Sequence, residues 1–416
     1  MQLIVSKQKI DEIFSTFLVA LILFANIAIG SAKYLPVVIS ISIIGMIYCF
    51  ILTLRSRSTT AITFSGFPFL WILLFSLEMF LYGYFGSDKE AYSLRFHLFN
   101  ILYIIMLLII MYYKRERLIE LISKACSLEI IMLSLFIARN EFTSIINVLL
   151  YSSNLRVGTT TVGNVNTTAV SYIFLIVPVM YQFFYLKRIK YFPILVIGII
   201  FLFLTGSKKS TIALFLIFAV LEFYSATDIN KLAKNMLKFL LVISAILIVC
   251  YNVPLLREEI WNRLAKMFEN LNNYSSGDQS STGLRLTFII LAFTKAWDKP
   301  IFGHGWNSFS RMYGYSTLYQ TGLYSHCNYT EVLFSFGLLG LTLFYWFPIL
   351  ATKRAKRVNN LNIKIFALLY CAILFFIDIS TVSCYQSILP FVGFSIAYIC
   401  ATTKNQNVIE DDIYDY

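Results

Sequence analysis

Runs of about twenty apolar residues recur along nearly the whole chain, and no other feature limits its fold as tightly. A helix needs about 20 such residues to cross a bilayer. In lipid every backbone N–H and C=O must find a partner within the protein, which favours spanning helices. The runs fall at 13–32, 34–54, 67–86, 96–113, 117–138, 165–186, 191–206, 209–226, 236–255, 331–350, 363–379 and 384–402. The most polar, 117–138, carries Lys124 and Glu129. The expected class is an all-α polytopic integral membrane protein with about twelve transmembrane helices. Composition excludes the alternatives. Of 416 residues 58% are hydrophobic and 13% charged, against about 45–50% and about 25% in soluble domains. A soluble enzyme, a disordered chain, a coiled coil and a disulfide scaffold are all ruled out. No run has the short apolar core and small-residue cleavage site of a signal peptide, so the first span is expected to stay as an anchor.

Basic residues orient the spans, because cytoplasmic connections carry an excess of Lys and Arg. Alternate connections hold Lys7 and Lys9, Arg55 and Arg57, Lys114–Arg117, Lys187–Lys190, Lys231–Lys238, Lys353–Lys364 and Lys404. An even number of spans with both termini in the cytoplasm follows. The net charge of +12 is then mostly topology, and no soluble basic domain remains to bind nucleic acid. Cys49, Cys126, Cys250, Cys371 and Cys400 fall in spans and read as small apolar side chains. Cys327 and Cys384 fall at the outer face, where a disulfide between them is open. No CxxC pair suggests a metal site.

The chain divides into 1–138 (spans one to five), 139–255 (an outer segment and spans six to nine), 256–330 (one large outer loop) and 331–416 (spans ten to twelve and a cytoplasmic tail). Connections as long as 256–330 are uncommon unless functional. Its first part places Leu256, Ile260, Leu264, Met267 and Leu271 at helical spacing, which reads as an amphipathic helix, on the membrane surface or packed on the loop. Its apolar stretch Leu286–Phe293 is too short to span and fits a re-entrant or interfacial helix.

Three sets of cations lie on the side where the charge rule does not want them. Arg285 falls in the first turn of the interfacial helix, and Lys208 and Lys209 open the eighth span after a short hairpin, TGSKKS. A cation at a helix N-terminus opposes the helix dipole. The cost is recovered if an anion docks between the cations and the free N–H groups. Arg156, in LRVGTTTVGNVNTTAV, is the third candidate, and Asn166 can cap the sixth span. The plain alternatives are interfacial anchors and a solvated loop arginine. His326 and His304 lie in the large loop, in SHCNYTEV and GHGWNSF, and two histidines beside these cations suggest acid–base chemistry. Glu331 can orient His326 or cap the helix after it. His97 reads as structural or interfacial. Glu78, Lys124, Glu129 and Asp378 lie inside spans and are expected to face protein. Without a broken-helix pair they make a weak transporter signal, and no clustered His, Asp and Glu supports metal catalysis.

Four segments in order resemble a known family. LRVGTTTVGNVNTTA is similar to R-x-x-G…N-x-N-x-x-A, TGSKKS to a T-G-S-R turn, STGLR…W…PIFGHGWNSF to R…W…P…G-x-G…F, and SHCNYTEVLFSFGLLGL to H-N-x-x-L…G-L-x-G-L. Together they resemble the O-antigen ligase and polymerase (Wzy-type) superfamily of bacterial glycan assembly. Lys208 stands where an arginine is usual, so its phosphate contact would be a point charge rather than a fork. Cys327 separates His326 from Asn328, which leaves the asparagine's role open. His304 has no counterpart and stays secondary, with Glu331, Asn166 and Asn328.

The resemblance implies a GT-C-like helical fold in a bacterial cytoplasmic membrane. It implies transfer of a glycan from undecaprenyl diphosphate to an acceptor hydroxyl at the outer face, inverting, without nucleotide sugar, cofactor or metal. Arg156, Lys208, Lys209 and Arg285 would hold the diphosphate, His326 would be the base, and Trp306 and outer tyrosines would stack sugars. The expected activity is that of a repeat-unit polymerase, with lipid-linked oligosaccharide as donor and acceptor and with membrane lipid, a chain-length regulator and a flippase as further partners. The alternatives are an O-antigen ligase acting on lipid A–core, and a glycan flippase.

Overall fold

The computed structural model of the protein describes residues 7–28, 34–56, 66–85, 94–151, 157–158, 165–224, 226, 228–252, 257, 262, 265, 281–313, 323–384 and 388–403. Among them every regular element is helical. In chain order these are α1 (Lys7–Ala28), α2 (Leu35–Ser56), α3 (Phe67–Phe85), α4 (Leu94–Tyr113), α5 (Leu118–Asn140), α6 (Phe142–Tyr151), α7 (Val165–Met180) and α8 (Phe192–Leu204). There follow α9 (Lys208–Tyr224), α10 (Ile229–Asn252), α11 (Ser281–Ala296), α12 (Ser308–Met312), α13 (Asn328–Lys356), α14 (Leu361–Asp378) and α15 (Leu389–Thr402).

Each of the twelve apolar runs becomes a helix. Among the described residues seven are long and apolar enough to cross a membrane, 8–27, 35–55, 67–84, 115–140, 165–185, 328–356 and 361–378, while 97–113, 189–204 and 389–402 form shorter apolar helices. Runs 209–226 and 236–255 form α9 and α10. Proline shapes several ends. Pro178 lies inside α7, where its missing N–H leaves the Phe174 carbonyl without its helical donor, and the chain then passes into a π-helical turn at Tyr181–Tyr185. Pro193 and Pro390 open α8 and α15, where a missing donor costs nothing. The expected amphipathic helix around Leu256–Leu271 lies outside the described residues.

Two helices organise the packing. α5 packs against α1, α7 and α8, and α13 packs against α3, α11, α14 and α15. Small residues and large rings set the distances. Trp71 of α3 stacks on Phe347 of α13 with centroids 4.7 Å apart, and its indole N–H donates to the Phe344 carbonyl at 2.8 Å. At one end of the bundle an ion-pair cluster ties α1, α2, α4 and α5. Asp11 meets Arg55 and Lys114, while Glu12 meets Arg117 at 3.4 Å and Lys124 at 2.6 Å. Lys124 also meets Glu120 at 2.7 Å, which accounts for a cation in the most polar run. Glu78, Glu129 and Asp378 are 6%, 0% and 1% exposed, so the carboxyls inside spans do face protein.

α13 is broken. Gly337 has φ 68° and ψ −163° inside it, a conformation that only glycine adopts readily. The backbone groups released there are taken up by a strap, residues 300–305. Leu338 and Leu339 donate to the carbonyls of Pro300 and Ile301 at 2.7 and 3.1 Å. His304 and Gly305 donate back to Phe334 and Ser335 at 2.9 and 2.8 Å. The approach is as close as backbone allows. A Cβ on Gly303 would lie 2.5 Å from the Ser335 backbone, and one on Gly337 would lie 2.3 Å from the Ile301 carbonyl. Irregular backbone at this depth is tolerated because protein, not lipid, satisfies it.

Candidate active site

α11 and α13 are joined by a small apolar core of their own, Leu284, Phe288, Ala292, Ala296, Phe309, Leu333 and Phe334. On α11 the buried members recur at four-residue intervals, so one face of the helix lies against α13. Arg285 is the next residue after Leu284 and points out of that core, exposed. His326 lies just ahead of α13. Its ring lies parallel to Phe288 with centroids 6.5 Å apart and is tilted on Tyr324 at 4.7 Å. The apolar face of α11 thus places Arg285 and His326 at one end of the bundle.

His326 is one of three non-glycine residues with positive φ among the described residues, at +63°. Such a backbone is uncommon for a non-glycine residue and persists only where its surroundings hold it. Glu331 does so here. Its buried carboxylate accepts the Ser325 N–H at 2.8 Å and the Ser335 hydroxyl at 3.4 Å. The Ser325 hydroxyl donates to the Cys327 carbonyl at 3.1 Å. These bonds fasten the turn that carries His326, and no side-chain hydrogen bond caps the start of α13.

The TGSKKS hairpin reaches the same place from another side. Gly206 takes φ +60°, the Thr205 hydroxyl accepts the Ser207 N–H at 3.3 Å, and α9 then starts at Lys208. The Lys209 ammonium donates to the Ser380 carbonyl at 3.1 Å and to the Thr381 hydroxyl, both in the segment after α14. Burial, then the Arg285 guanidinium, then the Lys209 ammonium push the His326 imidazole down to about 3. Two cations therefore act on one neutral imidazole. Residues from three separate stretches of sequence, Lys209, Arg285 and His326, converge.

The segment that receives Lys209 is fixed by a network that the sequence does not reveal. Asp378, at the end of α14, accepts hydroxyl hydrogen bonds from Tyr345 at 2.8 Å and Ser383 at 2.7 Å. Asn328 donates to the Tyr345 hydroxyl at 2.9 Å and accepts the N–H groups of Ser383 and Cys384 at 3.0 and 3.1 Å. Asn328 is fully buried. It stands two residues after His326 and locks the start of α13 onto the segment that holds Lys209. One displaced asparagine thus serves the site through backbone.

Other expectations fare differently. Arg156 lies outside the described residues. Its neighbours Val157 and Gly158 are described, and the Val157 N–H donates to the Leu204 carbonyl at 3.1 Å, beside the TGSKKS turn. Asn166 falls within the first turn of α7 rather than at its cap. Lys208 is half-buried at the start of α9. His304 is spent on structure. It lies flat on Phe334 with centroids 4.3 Å apart, and its Nε2 is 3.0 Å from the Lys295 carbonyl. Trp306 is 8% exposed and sits edge-on to Phe336, so it is core and not a platform for sugars. Cys327 and Cys384 are free thiols. His97 is buried, with Nε2 3.2 Å from the Ser76 carbonyl, the structural role expected of it. Among the described residues no group of His, Cys, Asp and Glu could hold a metal ion.

The arrangement brings a guanidinium, a lysine amine and an uncharged imidazole together at one end of the helical bundle. It suits a reaction in which a phosphate leaves and a proton is taken up. The model of a family described as O-antigen ligase matches residues 193–345. That range runs from the start of α8 into α13 and contains Lys208, Lys209, Arg285, His326 and the break at Gly337. Arg156 and Asp378 lie beyond it. No curated protein matches the chain.

Proposed function

We propose that this chain, a member of the O-antigen ligase and polymerase superfamily, moves a glycan from undecaprenyl diphosphate to a sugar hydroxyl of a second lipid-linked repeat unit, as a polysaccharide polymerase. The observation that carries the reading is that α11, the start of α13 and the TGSKKS turn pack so that Arg285, His326 and Lys209 meet at one end of the bundle. The donor diphosphate lies against the two cations, with Lys208 and Arg156 adding to the field around it. The acceptor oxygen attacks the anomeric carbon. The bond from that carbon to the diphosphate oxygen breaks, and the lipid diphosphate leaves with the electron pair. The hydroxyl proton passes to His326. In-line displacement inverts the anomeric configuration.

The low proton affinity of His326 fits this order of events. Burial and the neighbouring Arg285 and Lys209 disfavour the imidazolium. A bound diphosphate neutralises both cations and raises its basicity, so the base is strengthened only when the donor is in place. The apolar helix surfaces serve the polyprenyl tails, and the orientation is with this end outside the cytoplasmic membrane. The loose fit of Lys208 and of the His326–Cys327–Asn328 order to the motifs supports a polymerase, because polymerases are the more divergent branch of the superfamily.

Deleting the gene and examining surface glycan on a gel tests the reading. A lost ladder with a single repeat unit retained is the expected result. Polymer accumulating on the carrier lipid would instead mean a ligase, and lipid-linked units that never reach the outer face a flippase. Complementation with Arg285→Ala or Lys209→Met should not restore the ladder.

A further inference from the structure

A buried carboxylate that the proposed chemistry does not use lies at the corner between α5 and α6. Glu141 is 4% exposed, and its Oε2 accepts the N–H of Gly158 at 2.6 Å. Its backbone already serves the corner, since its N–H donates to Ile137 and its carbonyl accepts from Ile145. The side chain is therefore directed at Gly158. That glycine has φ +98°, and a Cβ there would come within 2.9 Å of the Thr168 hydroxyl. Thr168 itself donates to the Gly158 carbonyl at 3.4 Å. The neighbouring Val157 is 1% exposed and donates to the carbonyl of Leu204, the last residue of α8.

Val157 and Gly158 thus form a pin fastened to three elements, the α5–α6 corner, α7 and the end of α8. Leu204 leads directly into the turn that ends at Lys208 and Lys209. We infer that Glu141 is a positioning residue for the diphosphate site: through Gly158 and Val157 it fixes the turn from which the Lys209 ammonium is presented. A carboxylate is suited to this, because it makes a shorter and stronger hydrogen bond to a backbone N–H than a neutral acceptor. The inference rests on the proposed function, whose donor it concerns.

The test is steady-state transfer by the purified full-length protein in detergent, with a polyprenyl-diphosphate oligosaccharide as donor. Glu141→Ala should raise KM for the donor about tenfold or more, the loss of one charge-assisted hydrogen bond, while kcat changes by less than about twofold. Glu141→Gln keeps an acceptor oxygen in place and should recover most of the lost donor affinity. Gly158→Ala, which displaces the same pin from its other side, should show the same KM effect. In a Lys209→Met background, read as donor binding rather than turnover, Glu141→Ala should add much less than its single-variant factor, because both act through one ammonium. Independent, multiplying effects would overturn the inference. So would failure of Glu141→Gln to recover affinity, or a parallel fall in kcat and thermal midpoint without a change in KM. If Arg285→Ala and His326→Asn are fully active as well, the proposed function itself has failed. If those two are inactive and Glu141→Ala is normal, only this inference has.

Discussion

His326 combines a left-handed backbone, a ring flat against Phe288 and two neighbouring cations. Each has a separate consequence. Asparagine tolerates the left-handed region, so His326→Asn removes the base without straining the turn. Its kcat should fall by about 10²–10⁴-fold, with the thermal midpoint nearly unchanged. Acidity gives a second check. A free histidine would lose half its base form near pH 6.5, whereas His326 is pushed down to about 3. The kcat/KM of the free enzyme should therefore not show a histidine-like fall between pH 7 and pH 5. Stability follows the same lowered value. Between about 6.5 and 3 the unfolded chain binds a proton at this position and the folded one does not. The contribution is fully present above 6.5 and is lost as pH falls, and the slope should flatten in His326→Asn. Both histidines of the large loop were legible as candidates. The motif resemblance already made His304 secondary. The physical reason, its packing on Phe334 and the Lys295 carbonyl, is not written in local sequence.

At the level of elements, apolar periodicity carries far and then stops. The twelve runs became helices because lipid-length segments have few other ways to satisfy their backbones. The break in α13 escaped, because a single Gly337 in an apolar run looks like any helical glycine until the strap that bonds to it is known. The same holds for the Asn328–Tyr345–Asp378–Ser383 network, whose members lie up to 55 residues apart. Asp378 was recognisable as a carboxyl that must face protein, but not what it faces. Two predictions belong here. Gly337→Ala places a Cβ 2.3 Å from the Ile301 carbonyl in a strained backbone, and should lower stability by more than about 1–3 kcal/mol, seen as a fall in thermal midpoint. Tyr345→Phe removes the hydroxyl between Asn328 and Asp378 and leaves a buried carboxyl short of a donor. It should cost about 1–3 kcal/mol in the same measurement.

For the whole molecule, charge sorts into two ends. The cluster of Asp11, Glu12, Arg55, Lys114, Arg117 and Lys124 gathers one end of the bundle, and the cations around His326 occupy another place. The positive-inside pattern predicts that the first of these lies in the cytoplasm. A fluorescent protein fused after Tyr416 should then glow, and a phosphatase that works only outside the cytoplasm should stay inactive there. The opposite pair of results would invert the topology. Residues 300–305 hold a lesson about what kind of change the molecule can absorb. They read as loop, and loops usually accept insertions and deletions. Yet their carbonyls and N–H groups stand in for a missing helical turn of α13, so their length is as constrained as that of the helix they complete. Adding or removing one residue there should be far more damaging than changing the side chain of Ile301 or Phe302, both of which are exposed.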